Sequence, residues 1–251
     1  MILVFGGTTE GKKVAAFLES SAIPFVYSTK TKISFLETKT AQYRFGALNE
    51  KQLQDYILTN NITTIINAAH PFAQELHRVI AKVGAQLQLS VIRFARVLLE
   101  KTIHPLVRYV ASYQEALQEL EHFKSLLALT GVQSIDKLQP YWLKNSAYFR
   151  ILNRPASLKV ARKSNFPEKQ LILGMPSGDL EKEITILRTH KIDVVLTKET
   201  GSSGFLEVKI NAALQTNTPI LIIKQPQTPP YFKVIHHLQE LEFLQSKTNT
   251  I

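Results

Sequence analysis

The sequence predicts an α/β protein made of two doubly wound domains with parallel sheets. Three observations carry that prediction. Apolar runs of strand length alternate with helix-period patterns along the whole chain. The first such run passes directly into a glycine loop, Gly6-Gly7-Thr8-Thr9-Glu10-Gly11, that opens a helix. The length of 251 residues, 45% of them hydrophobic and 20% charged, suits two ordinary domains that each bury a core.

Ile2–Phe5 is an uninterrupted apolar run, and Val14, Phe17 and Leu18 mark one face of the helix that follows. Phe25–Ser28 reads as a second strand. Asn49, with Gln52 three residues later, forms a capping box ahead of the stripe Leu53, Tyr56 and Ile57. Thr64–Asn67 is a third strand. Phe72, Leu76, Val79, Ile80 and Val83 recur at helical spacing, and Leu89–Phe94 is another strand. The same order then repeats. Ser112 and Glu115 cap a helix through Ala116, Leu117 and Leu120. Leu126–Leu129, Tyr148–Leu152 and Leu171–Leu173 are strands, and Leu180, Ile184 and Leu187 mark a helix. Val194–Thr197 is a strand, Leu206, Ile210 and Ala213 mark a helix, and Ile220–Ile223 is the last strand. That makes about four strands in the first half and about five in the second. A linker near Lys101–Pro105 separates a domain over 1–103 from one over 104–230. The Pro-rich stretch Gln225–Tyr231 ends the second sheet, and the tail 231–251 is expected to pack back on the first domain.

The chain has no cysteine, which removes disulfides, thiolate nucleophiles, iron–sulfur clusters and cysteine-bound zinc. Its seven histidines are scattered, and the adjacent pair His236-His237 suits neither a helix face nor a strand face, so no metal site is expected. No apolar stretch approaches a membrane span, and the opening Met1–Gly7 lacks the basic segment of a signal peptide. A cytoplasmic protein with no membrane partner is expected. The net charge of +10 and a pI near 9.7 point to anionic ligands. The cations are dispersed, and no zinc-finger, RNP-type or helix-turn-helix pattern is visible. Small polyanions rather than nucleic acid are therefore the expected partners, with a monomer as the default state.

In a Rossmann-like domain the glycine loop lies at the carboxyl edge of the sheet, where ligands bind. Glycines let the backbone approach a phosphate, the helix N-terminus supplies N–H donors, and Thr8 and Thr9 add hydroxyls. Gly6–Gly11 followed by Lys12 matches most of a P-loop. Lys13, however, stands where that motif holds magnesium through Ser or Thr, and the third strand ends in Asn67 rather than an acid. The dinucleotide fingerprint is also incomplete, because Thr8 occupies its second glycine position. After the second strand come Ser28, Thr29, Lys30 and Lys32, with no carboxylate before Glu37. Hydroxyls and cations there suit the 2′-phosphate of NADPH over the bare ribose of NADH. A P-loop-like nucleotide hydrolase and a non-catalytic dinucleotide-sensing domain stand as alternatives.

Three segments, in order and spacing, resemble the precorrin-6A reductase family of cobalamin biosynthesis. They are Gly6-Gly7-Thr8-Thr9-Glu10-Gly11, then Asn67-Ala68-Ala69-His70-Pro71-Phe72-Ala73, then Leu196–Gly204. The resemblance covers essentially the whole chain. It implies that NADPH donates a hydride to a conjugated double bond of precorrin-6A or cobalt-precorrin-6A, a carboxylate-rich tetrapyrrole, in a cleft between the domains. On that reading Gly6, Gly7, Thr8, Thr9, Glu10 and Gly11 hold the cofactor's pyrophosphate, and Ser28, Thr29, Lys30 and Lys32 hold its 2′-phosphate. His70 and Pro71 border the nicotinamide. Thr130, Lys198, Gly201, Ser202, Ser203, Gly204 and Lys209 bind the substrate, with His70 and Lys198 as candidate catalytic groups. The family's Gly-Arg pair after the second strand is replaced by Lys30 and Lys32, and the arginine of its TGR segment by Val132.

Overall fold

The computed structural model describes residues 1–98, 100–201 and 204–246. The chain forms two compact units, Met1–Val97 with the chain from Pro226 onward, and Leu98–Gln225. In chain order the first unit contributes β1 (Ile2–Phe5), α1 (Thr9–Ser20), β2 (Phe25–Thr29), β3 (Ala41–Phe45), α2 (Glu50–Thr59), β4 (Thr64–Asn67), α3 (Gln74–Gln86) and β5 (Ser90–Phe94). The second contributes β6 (Val107–Val110), α4 (Tyr113–Leu120), β7 (Ser125–Ala128), α5 (Gln139–Trp142), β8 (Ser146–Ile151), α6 (Pro155–Lys163) and β9 (Leu171–Leu173). It continues with α7 (Leu180–Thr189), β10 (Val194–Lys198), α8 (Leu206–Gln215) and β11 (Ile220–Ile223). β12 (Lys233–Ile235) and α9 (Phe243–Ser246) then belong to the first unit.

Each unit is built on a six-stranded sheet, and every strand pairing is parallel. The first sheet runs β12-β5-β4-β1-β2-β3 and the second β6-β11-β10-β7-β8-β9. Alternation along β1 sends Ile2 and Val4 to one face, with Val14 and Leu18 of α1. Leu3 and Phe5 face the other side, with Leu53 and Ile57 of α2 and Val79, Ile80 and Val83 of α3. In the second unit Leu127, Val195, Ile220 and Ile222 pack against Ile184 and Leu187 of α7 and Ile210 of α8. Two-sided burial explains why the central strands are apolar at nearly every position.

The strand count is six per sheet rather than four and five. The additional strands are β3, β6 and β12, and each lies at a sheet edge. Edge strands are covered incompletely, and β3 accordingly alternates buried, exposed and half-buried positions through Ala41-Gln42-Tyr43-Arg44-Phe45. No apolar run marks them. The reciprocal capping box at Asn49 and Gln52 is present, with bonds of 2.9 and 3.0 Å. At α4 only half forms: Ser112 Oγ accepts the Glu115 amide, whereas Glu115 accepts from Ala111 instead. Phe72 lies in a turn ahead of α3, because the His70 ring and carbonyl accept the Phe72 and Ala73 amides.

Candidate functional site

In the first sheet the chain leaves β1 toward β2 and β3 on one side, and occupies β4, β5 and β12 on the other. The loops after β1 and β4 part at this switch point, where open α/β sheets bind ligands. Thr8 stitches the two loops together. Its Oγ1 donates to the Ala68 carbonyl at 2.7 Å and accepts the Gly11 amide at 3.0 Å, as the N-cap of α1. The hydroxyl read as a phosphate donor thus holds the loop. Gly7 is exposed and has φ of +89°, a conformation that favours glycine. Gly6 and Gly11 answer a packing need: a β-carbon on Gly6 would lie 2.2 Å from Tyr27 Cζ, and one on Gly11 2.7 Å from Gly6 Cα. The Tyr27 hydroxyl accepts the Gly7 amide at 2.9 Å, and burial raises its pKa. Glu10 is buried and paired with Arg96 at 2.8 Å.

Beneath the second loop lies a buried polar network. Asn67 Nδ2 bonds His77 Nδ1 at 2.8 Å, and His77 Nε2 reaches the carbonyls of His70 and Pro71 at 3.1 and 3.2 Å. Arg93 Nη1 donates to Asn67 O, Asn67 Oδ1 and Ala69 O. Burial, then the charge of Arg93, lowers the His77 pKa to about 4. Neutral His77, donating through Nε2–H, satisfies all these partners. His70 itself is half-buried at the crest of the loop.

At the end of β2, Ser28 and Thr29 are buried and committed. Arg44 Nη1 donates to Ser28 Oγ at 2.5 Å, and Thr29 Oγ1 bonds Thr31 O and Tyr43 Oη, both at 2.8 Å. Lys30 and Lys32 are exposed.

The second unit repeats the arrangement. Its switch point falls between β7 and β10, so the loops after those strands adjoin. Lys198 Nζ donates to the Thr130 carbonyl at 2.6 Å, joining two of the predicted substrate residues. Burial, then Lys137, lowers the Lys198 pKa to about 8. Gly131 and Gly201 have φ of +83° and +66°, and a β-carbon on Gly204 would lie 2.0 Å from Thr200 Oγ1. Ser202 and Ser203 lie outside the described residues. Lys209 is apart from the loop crest: it is 4% exposed, within electrostatic range of the buried Arg150–Glu183 pair, and burial lowers its pKa to about 8. Val132 begins a short 3-10 turn, Val132–Ser134. Among the described residues no group of His, Asp or Glu could hold a metal ion, and no helix is long and apolar enough to cross a membrane.

The model of the precorrin-6x reductase CbiJ/CobK family matches residues 1–244. The chain belongs to that family. It is 25% identical over 231 residues to the cobalt-precorrin-6A reductase of Methanocaldococcus jannaschii, covering 90% of each chain. It is 26% identical over 237 residues to the precorrin-6A reductase of Rhodococcus erythropolis, covering 91% of this chain and 90% of the relative. The solved structure of CobK precorrin-6A reductase superimposes with a TM-score of 0.77 at 21% identity, covering 98% of this chain and 96% of that one. The fold is therefore shared along the whole length.

In this precorrin-6x reductase family member, several residues of the first unit, around its switch point and the end of β2, escape a reading of the sequence. Tyr27, Arg44, His77, Arg93 and Arg96 belong to no loop motif. Tyr27 reads as one more apolar strand residue, and His77 as one polar position on a helix. A capping pattern would have identified Thr8 as the N-cap, since it immediately precedes α1.

Proposed function

We propose that the chain is an NADPH-dependent oxidoreductase that reduces a ring double bond of precorrin-6A or cobalt-precorrin-6A to the dihydro form, in the cytoplasm, as a monomer, within cobalamin biosynthesis. The observation that carries this reading is the meeting of the Gly6–Gly11 loop with the His70–Pro71 loop at the switch point of the first sheet. The residues there suit a dinucleotide. Gly7 is exposed beside the N-terminus of α1, whose first N–H groups have no partner within the helix. Two cations, Lys30 and Lys32, follow β2 ahead of the first carboxylate, Glu37.

NADPH, when bound, supplies the hydride. Gly6, Gly7, Thr9 and Gly11 form the pyrophosphate cradle, while Thr8 and Glu10 hold its shape through Ala68 and Arg96. His77 and Arg93 set the loop that presents His70 and Pro71. In the second unit the Lys198–Gly204 loop binds ring carboxylates, while Thr130, buried with its hydroxyl on Ser134 Oγ and its carbonyl on Lys198 Nζ, positions that lysine rather than touching the substrate. Lys198 Nζ carries a proton at neutral pH, so it can pair with a carboxylate or deliver the proton that completes the reduction. His70 is the other candidate donor.

The test is anaerobic incubation of the purified protein with precorrin-6A or its cobalt form and NADPH, with NADH in parallel. One dihydro product per NADPH oxidised supports the reading. Binding without turnover would favour a sensing domain, and magnesium-dependent phosphate release from ATP or GTP a nucleotide hydrolase. Either outcome overturns it.

A further inference from the structure

The first unit holds an ordered guanidinium beside the end of β2. We infer that Arg44, on the edge strand β3, reads the adenosine 2′-phosphate and sets the preference for NADPH over NADH. The inference rests on the NADPH reading and deepens it.

Parallel pairing puts Arg44 in register with Ser28, one residue before the end of β2. Dinucleotide-binding domains meet the ribose 2′ position at this strand end, and an arginine nearby accommodates a 2′-phosphate. The guanidinium is held on several sides. Nη1 donates to Ser28 Oγ at 2.5 Å, and Nη2 donates to the carbonyls of Phe45 and Gly46 at 3.1 and 2.9 Å. Its centre lies 5.4 Å from the centroid of the Tyr56 ring. Those bonds use three of its five N–H donors, leaving Nε–H and one Nη1–H, on separate edges of the guanidinium, either of which can donate to an anion. No carboxylate pairs with Arg44 among the described residues: the two nearest acids in sequence are engaged elsewhere, Glu50 with Arg78 and Lys82 and Glu37 with the Tyr43 amide. Arg44 is thus a half-buried, pre-oriented cation awaiting an anion.

Lys30 and Lys32 offer something different. Both are exposed, and Lys32 Nζ lies 5.7 Å over the Phe45 ring. An exposed ammonium adds a screened point charge, whereas the Arg44 guanidinium is a half-buried charge fixed in place by three hydrogen bonds. Arg44 comes from β3 rather than from the loop after β2, so its guanidinium is fixed by the sheet.

The test measures binding of NADPH, NADH, 2′,5′-ADP and 5′-AMP by calorimetry, for the wild-type chain, Arg44→Gln, Arg44→Lys and Lys30→Ala/Lys32→Ala. The wild type is expected to prefer the 2′-phosphorylated member of each pair. Arg44→Gln should weaken NADPH and 2′,5′-ADP by roughly 10- to 100-fold, the loss of one or two charge-assisted bonds, and leave NADH and 5′-AMP within about twofold. Arg44→Lys should fall between, and the double lysine variant should lose less than Arg44→Gln. An Arg44→Gln chain with the wild-type preference would sink the inference alone. So would equal losses for all four ligands, which is the signature of a structural role. A wild type that does not discriminate would overturn the NADPH reading, and the inference with it. Should Arg44→Gln prove unfolded by circular dichroism, Arg44→Lys decides: a fall in the NADPH to NADH ratio supports the assignment and an unchanged ratio refutes it.

Discussion

His77 is 6% exposed beneath the loop that carries His70 and Pro71, and its protonation would work against that loop. The fold needs Nδ1 as an acceptor for the Asn67 amide and Nε2–H as a donor to two carbonyls. Burial and Arg93 hold the pKa at about 4, against an ordinary value of 6.5. At neutral pH the imidazole is uncharged in the folded chain and mostly so in the unfolded one, so the depressed pKa has little effect there. As pH falls below 6.5 the unfolded chain takes up a proton that the folded chain refuses, and stability declines until pH reaches about 4. The full gap corresponds to roughly 3 kcal/mol at about 1.36 kcal/mol per unit. His77→Gln removes this titration but leaves the loop with poorer hydrogen bonds, for a loss of about 1–2 kcal/mol at neutral pH. The wild-type advantage should therefore shrink, and then reverse, between about pH 7 and about pH 4.5. Urea unfolding of both chains at stepped pH, with NMR titration of the imidazole resonances, measures it. A difference in stability that does not change with pH, or a His77 resonance titrating near its ordinary value, would refute the reasoning.

Three further outcomes follow from contacts in the two units. Gly6→Ala would drive a β-carbon into the Tyr27 ring and should lower stability by about 1–3 kcal/mol in urea, whereas an unchanged midpoint contradicts the packing role. Glu183→Gln leaves the buried Arg150, now bonded to it at 2.5 Å, without its counter-charge and should cost about 3–5 kcal/mol. An Arg150→Met/Glu183→Met chain should recover most of that loss, and failure to recover would place the cost in packing rather than charge. Lys198 has a pKa lowered to about 8, so its cation is present at neutral pH and lost above that value. KM for the tetrapyrrole should rise as pH passes through that point; a KM flat with pH, or the same rise in Lys198→Met, counts against Lys198 as the carboxylate partner.

The central strands and both glycine loops are legible in the sequence because their causes are local. A strand covered by helices on both faces must be largely apolar, as β1 and β11 are throughout, and a strand-to-helix turn with φ above zero calls for glycine, as at Gly7. Helix starts such as Asn49–Gln52 are equally local. The edge strands β3, β6 and β12 are not legible, because an exposed edge imposes no continuous apolar run. The sequence also leaves open what each polar residue in a loop is for. Thr8 and Glu10 sit in the motif read as a phosphate cradle, yet their side chains are spent on Ala68 and Arg96, which lie 60 and 86 residues away. Arg44 meets Ser28 only because β2 and β3 pair in parallel register, and Lys198 meets Thr130 only because β10 lies beside β7. Sequence alone thus determined the α/β alternation and where the ligand loops fall. The partners of each side chain were decided by the folded sheets, since parallel pairing joins strands through crossovers and sets residues distant in the chain side by side.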